Sequence, residues 1–336
     1  MRLSIILFVI CSFLLSCSNN KSPDVSSIKI NLTSERFEKD FFDTTTYSLL
    51  TYLKQLNTNT PSFVNNYLTQ ILNVDPTWPA DTASAYVNSF INAYRPVYDS
   101  VEKIFNDFTP YEKEIKKGLQ FVNHYFPQYK APHKIITYIG PIDGYGDILD
   151  QDALVVGLQH HLGRNSQFYK SEMVQQTYPP YISQRFEPDY IPVNCLKNIV
   201  NDLYPEKQDD KPLVNQMIEK GKRLYLLSMF LPTTAEYKLI GYTQDQLKDS
   251  YAHEAVIWDL FIKSSLLQIT DKNIIKNYID ESPKTQELGE GAPGNIGSFA
   301  GWQIVKKYMQ KKPDVTLQEL MNLDTDIIFQ EAKYKP

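Results

Sequence analysis

The 336-residue chain carries 34 Lys+Arg against 39 Asp+Glu, a formal net charge of −5, and 42% hydrophobic residues. That apolar mass supports a sizeable core and excludes a disordered tail protein or a mini-scaffold. With charge balanced and no Lys/Arg block long enough to follow a phosphate backbone, nucleic acid is excluded as a partner.

Arg2 precedes an apolar run, Leu3–Leu15, that stops at Leu14-Leu15-Ser16-Cys17. The run is roughly 13 residues, short of the ~20 that a spanning helix needs, so it reads as a cleaved export signal. It resembles a bacterial lipoprotein signal, in which small residues precede an acylatable cysteine. Residues 1–16 are then the signal peptide, and Cys17 becomes a palmitate-type lipid attachment site that holds the protein to the bilayer. Residues 17–27 form a polar lipidated tether, and a single globular domain is expected over 28–336. No acidic run follows Cys17, the feature that a resemblance to surface-exported lipoproteins of the Bacteroidetes would call for. The expected location is therefore the cell envelope, as an outer-membrane lipoprotein facing the periplasm. Of Cys11, Cys17 and Cys195 only the last lies in the body, so neither a disulfide framework nor a zinc knuckle is available.

The alternation Ile28-Lys29-Ile30-Asn31-Leu32 predicts a short half-buried strand, and Phe37, Phe41 and Phe42 open a helix-period pattern running toward Leu56. Helical spacing continues through Phe63–Leu72 and Tyr86–Phe105, with Pro96 expected to bend or end the middle helix, and through Tyr111–Tyr125. The β-branched run Lys134–Ile139, the Gly/Asp loop 140–146 and the apolar run Ala153–Leu158 read as antiparallel strands joined by a tight turn. Helices follow near Pro188, then over Leu213–Phe230, Gln244–Leu267, Asp271–Tyr278, Ile296–Met309 and Leu317–Phe329; the breaker cluster Gly291-Ala292-Pro293-Gly294-Asn295 comes just before Ile296–Met309, which Pro313 stops. The class is α+β, predominantly helical with one small sheet.

Chemistry is sparse. The five histidines make no HExxH, since His253-Glu254 is followed at the second ligand position by Ile257, and His160-His161 sit adjacent after a strand, where they face opposite ways. No GxSxG elbow and no phosphate-binding Gly loop appears. Asp143–Asp147 lacks the spacing of an EF-hand.

Glu35-Arg36-Phe37-Glu38-Lys39-Asp40-Phe41-Phe42, Tyr125-Phe126-Pro127, Gly301-Trp302-Gln303-Ile304-Val305 and Tyr334-Lys335-Pro336, with the lipobox, resemble the gliding-motility lipoprotein B (GldB) family of Bacteroidetes over nearly the whole chain. The layout is also similar to predicted zincin-like metallopeptidases, in which a HExxH helix follows the strands and a later helix offers a glutamate. This second resemblance implies a zincin-like scaffold that lacks the metal motif: Asn194 and Asn198 stand where histidines would, Cys195 where the catalytic glutamate would, and Glu219 on the next helix. Neutral amides and a thiol in those roles supply neither the imidazole ligands nor the general base of a zinc site. No catalytic residue, metal or cofactor is expected.

The family resemblance implies a non-enzymatic envelope lipoprotein needed for gliding motility and linked to type IX protein secretion. Its partners would be other motility or secretion proteins of the envelope. Two alternatives stay open, a zinc metallopeptidase with an unrecognised site and a periplasmic lipoprotein binding glycan or peptide, the latter drawing on 23 Tyr. The strand Lys134–Ile139 as a peptide-accepting edge, and the loop Gly291–Gly297, are the expected partner surfaces.

Overall fold

The computed structural model describes residues 22–43, 61–206 and 210–336. The expected signal segment 1–16, the acylation site Cys17 and the start of the tether lie outside the described residues, as does the expected helical stretch from 44 to Leu56. The packed body takes in Val25, ahead of the boundary expected at Ile28.

Residues 28–32 keep the predicted alternation, Ile30 and Leu32 buried and Lys29 and Asn31 exposed, yet they do not join the sheet. Gln120 Nε2 donates to the Ile28 carbonyl at 2.7 Å, holding them against a helix. Pairing starts only with β1 (Thr33–Arg36), because its partner β2 (Lys134–Tyr138) begins opposite Thr33. With β3 (Ile148–Asp150) and β4 (Ala153–Gly157) the sheet has the order β1-β2-β4-β3.

β1, β2 and β4 are parallel, and only β3 runs antiparallel to its neighbour β4. The antiparallel reading of Lys134–Ile139 and Ala153–Leu158 is therefore corrected. Every residue of β4 and all of β2 but Lys134 are buried, as parallel strands covered on both faces must be, whereas a half-solvated antiparallel pair would alternate. The true hairpin turns between β3 and β4, with Gln151 at φ 41°, and the Gly/Asp loop instead leads from β2 to β3. β2 has a strand on each side, so it is not the edge proposed for peptide addition. In the loop Gly291–Gly297, Pro293, Gly294, Ile296 and Gly297 are buried, while Gly291 is exposed and Ala292 and Asn295 are half-buried.

β1 runs directly into α1 (Phe37–Phe42), whose Phe37, Phe41 and Phe42 are buried. Phe37 and Phe41 each set ring edges against Tyr67 at 4.9 Å, and Phe42 stacks on Tyr98 at 4.8 Å. Aromatic pairs at these spacings add to area burial. α2 (Pro61–Asn66) continues into one wide turn over Tyr67–Ile71, and α3 spans Ala80–Ile104. Pro96 does not end α3. Val87, Ile91, Val97 and Val101 bury one continuous face on both sides of the proline, and that packing outweighs the lost backbone hydrogen bond.

α4 (Thr109–Tyr125), the short α5 (Glu172–Thr177) and α6 (Pro180–Ser183), and α7 (Ile191–Leu203) follow; α7 packs on α4 and on β3 and β4. The C-terminal half is built on α8 (Leu213–Phe230) and continues through α9 (Glu236–Ile240), α10 (Gln244–Ala252), α11 (Glu254–Lys263), α12 (Lys272–Ile279), α13 (Ile296–Lys311), α14 (Leu317–Asn322) and α15 (Thr325–Ala332). The helix expected over Gln244–Leu267 is broken at His253, whose backbone N–H and ring Nδ1 both converge on the Asp249 carbonyl. α8 and α13 approach so closely that a Cβ on Gly301 would lie 1.8 Å from the Met217 carbonyl oxygen, and one on Gly221 would lie 2.3 Å from the Gly301 carbonyl. Only glycine on both helices permits that crossing.

Candidate functional site

Ligands in sheets with parallel strands gather at the strands' carboxyl ends, which here are the segments leaving Tyr138 and Gly157. Asp147 stands at the centre. Its Oδ1 accepts the Gly157 N–H (3.0 Å), and its Oδ2 accepts both His161 Nε2 (2.8 Å) and Asn194 Nδ2 (2.8 Å). Its carbonyl accepts Asn198 Nδ2 at 3.0 Å. Asn194 and Asn198 are four apart on α7, so both amides fall on the face turned to the sheet.

The His161 and Asp147 side chains are only 1% and 3% exposed. The second ring nitrogen of His161, Nδ1, donates to the Glu187 carbonyl at 3.0 Å. Both ring nitrogens therefore face oxygens, an arrangement that favours the imidazolium. Burial alone would lower the His161 pKa, but the charge and hydrogen bond of Asp147 and the Glu187 carbonyl outweigh it and raise it. Burial likewise pushes Asp147 up, and the charge of His161 with the bonds from His161 and Asn194 brings it below the usual carboxylate value. The result is a buried, fully bonded ion pair tying a loop, a strand end and two helical segments together.

His160 points elsewhere. Its Nε2 donates to the Ile142 carbonyl at 2.7 Å, its ring stacks on Phe186 at 4.6 Å, and burial lowers its pKa, so it is neutral. The loop between β2 and β3 is bound at many points: Gly140 N–H donates to Gln159 Oε1, Ile142 N–H to the Tyr94 hydroxyl, the Tyr178 hydroxyl to the Gly144 carbonyl and the Tyr138 hydroxyl to the Tyr145 and Gly146 carbonyls, all within 3.0 Å. A loop so anchored holds Asp147 in one position.

The four sequence-nominated positions separate. Asn194 and Asn198 meet at Asp147, while the Cys195 thiol is buried with its pKa pushed up by burial. Glu219 pairs with Lys222 Nζ at 2.8 Å, on the wall of a cavity whose lining contains none of the other three. Among the described residues, no three His, Cys, Asp or Glu side chains gather in a metal-ligating group. Asp147 and His161 were not nominated by the sequence reading. The available signal was a Gly/Asp loop after one apolar strand and a histidine pair after the next, opposite two asparagines at helical spacing.

The residues carrying the family resemblance are structural. Glu38, fully buried, accepts Arg36 Nε at 2.6 Å and the Thr137 hydroxyl at 2.5 Å, and desolvation raises its pKa. Arg36 also donates to the Phe105 carbonyl at 2.8 Å. Phe126 packs edge-on to Phe230, Gly301 makes the helix crossing, and the Tyr334 hydroxyl donates to Glu254 at 2.5 Å.

Fold and cluster define a helix-rich α+β protein with one small mixed sheet, at whose strand ends lies a buried Asp147–His161 pair. The chain belongs to the family described as gliding motility protein GldB, whose model matches residues 18–336. Membership implies a role in gliding motility, and the family is one of motility lipoproteins, not a known enzyme family. No curated protein and no solved structure matches the chain. Among the described residues, no helix is long and apolar enough to cross a membrane.

Proposed function

We propose that this chain is a non-enzymatic lipoprotein of the cell envelope, anchored in the outer membrane through acylated Cys17 and facing the periplasm. Residues 17–27 serve as its tether, the end of which already packs on the body at Val25, and 28–336 as one domain. It works in gliding motility beside other envelope proteins of the motility and type IX secretion machinery. The observation that carries the reading is the family match over 18–336, which begins at the residue after Cys17.

The non-enzymatic part is supported by the cluster. On a scaffold derived from a zincin-like one, Asn194 and Asn198 stand at the ligand positions and give their amides to Asp147, whose histidine partner His161 has both ring nitrogens engaged, by Asp147 and by the Glu187 carbonyl. A clean deletion, scored together for surface spreading and for secretion of large proteins, tests the role. Loss of spreading restored by the wild-type gene but not by Cys17→Ala is the expected result, and unchanged spreading would reject it. Elemental analysis of the purified protein should find no stoichiometric zinc; one zinc per chain, released by Glu219→Ala, would favour the metallopeptidase alternative.

A further inference from the structure

Val25 is buried in the body, and only residues 18–24 separate it from Cys17. The eight residue steps from Cys17 to Val25 reach at most about 29 Å. A turn follows, the Ile28 N–H donating to the Val25 carbonyl at 3.0 Å, and the chain then runs through β1 to Arg36, eight steps that cover roughly 26 Å when extended. Because β1 is parallel to β2 and β2 to β4, Ile28 lies toward the amino ends of all three strands. Gln120 brings the C-terminal half of α4 to the same end, and the Thr33 N–H, donating to the His133 carbonyl at 3.0 Å, brings the connection 126–133.

Four lysines stand there. Lys29, Lys130 and Lys117, one turn before Gln120, are exposed, and half-buried Lys134 opens β2 opposite Thr33. No ion pair joins any of the four to a described residue. The carboxylates of this end are engaged: Asp24 accepts the Ser26 N–H at 2.9 Å, Asp152 pairs with His133 at 3.1 Å, and Asp202 accepts the Tyr129 hydroxyl at 2.8 Å. The opposite end of the sheet carries the loop Gly140–Gly146, to which the Tyr178 hydroxyl ties the end of α5. Tyr145 on that loop and Met173 on α5 are each 60% exposed.

We propose that the amino end of the sheet, Val25–Lys29 with the C-terminal half of α4 and the connection 126–133, rests on the phospholipid headgroups of the bilayer, its unpaired lysines on the phosphates, while Tyr145 and Met173 face away. The inference rests on acylation of Cys17. With the carboxyl end turned to the bilayer instead, the link from Cys17 to Val25 would have to run almost straight along the body, losing its conformational freedom. The lysines would then be held away from the anionic surface that attracts them.

The acylated protein is reconstituted in vesicles of phosphatidylethanolamine and phosphatidylglycerol that carry an acceptor dye on their headgroups. A donor dye is placed on Gln128→Cys or on Met173→Cys, both exposed positions, while the buried Cys195 thiol stays unlabelled. The donor at 128 should lie nearer the acceptor plane than the donor at 173 by about 15 Å or more, given the length of the strands between them. Equal distances or the reverse order, in protein whose mass shows the acyl chains, would overturn the orientation and leave the anchor standing. A mass without acyl chains would overturn the anchor and the orientation with it. Lys29→Glu/Lys117→Glu should lower transfer from position 128 about twofold, and unchanged transfer would overturn the headgroup contact. Should circular dichroism show a labelled variant unfolded, Lys130→Cys and Tyr145→Cys must give the same order.

Discussion

The strand-end cluster around Asp147 and the crossing of α8 with α13 hold the two halves of the molecule by opposite means. At the first, a carboxylate and an imidazole are buried against each other, and two half-buried amides donate to the same aspartate. At the second, the contact exists because two side chains are missing, Gly221 and Gly301 letting backbone meet backbone. A polar cluster tolerates no missing partner, and a close crossing tolerates no added atom. Both kinds of position look functional in a sequence and are structural in the fold.

The largest effect is expected from Asp147→Ala, which leaves the His161 ring, the Asn194 amide and the Gly157 N–H without their shared acceptor. Removing one partner from a buried ion pair costs about 3–5 kcal/mol, readable as a lower urea midpoint with unchanged slope. Gly301→Ala comes next at about 3 kcal/mol, because the new Cβ must push α13 away from the Met217 carbonyl. Gly291→Ala is its control, since a Cβ there meets nothing within 4 Å, and a change within about 0.5 kcal/mol is expected. Equal losses in the two glycine variants would break the comparison.

Asn194→Ala should cost about 2 kcal/mol, since it removes a hydrogen bond to a charged oxygen, and Asn198→Ala about 1 kcal/mol, since its acceptor is a neutral carbonyl. Reversal of that order in urea titrations would show that Asp147 is not the charged centre.

The ion pair also sets a pH dependence. His161 has its folded pKa raised above 6.5, so its contribution is complete below pH 6.5 and is lost as pH rises through the raised value. Asp147 has its folded pKa depressed below 3.8, so its contribution is present above that value and is lost as acid reaches the depressed one. Between those limits both terms act. Urea midpoints of the wild type should fall on the alkaline side, and His161→Gln should flatten that slope; parallel curves for the two proteins would remove the ion pair from the explanation.

How much of this was legible follows the range of the interactions. The helices Tyr111–Tyr125 and Leu213–Phe230 were readable because their signal is a local period, and the family was readable from residue strings that keep their order. β1 was not, because Thr33-Ser34-Glu35-Arg36 has no apolar alternation and is placed by where β2 begins, about a hundred residues later. Parallel pairing of β2 and β4 was hidden because a Gly/Asp loop between two apolar runs has the appearance of a hairpin. Asn194 and Asn198 were singled out for the histidines they are not, and their real partner, Asp147, lay in a loop dismissed as a turn. Only the fold joins the two.

The closed character of the Asp147 cluster is tested most directly by nitrogen-15 NMR of the His161 ring in the full-length protein, assigned with His161→Gln. Two protonated ring nitrogens at pH 7, with the ring keeping its charge above the ordinary 6.5, are the expected result. A neutral ring at pH 7 with one lone-pair nitrogen would contradict it and would return His161 to the list of groups able to hold a metal or take a proton.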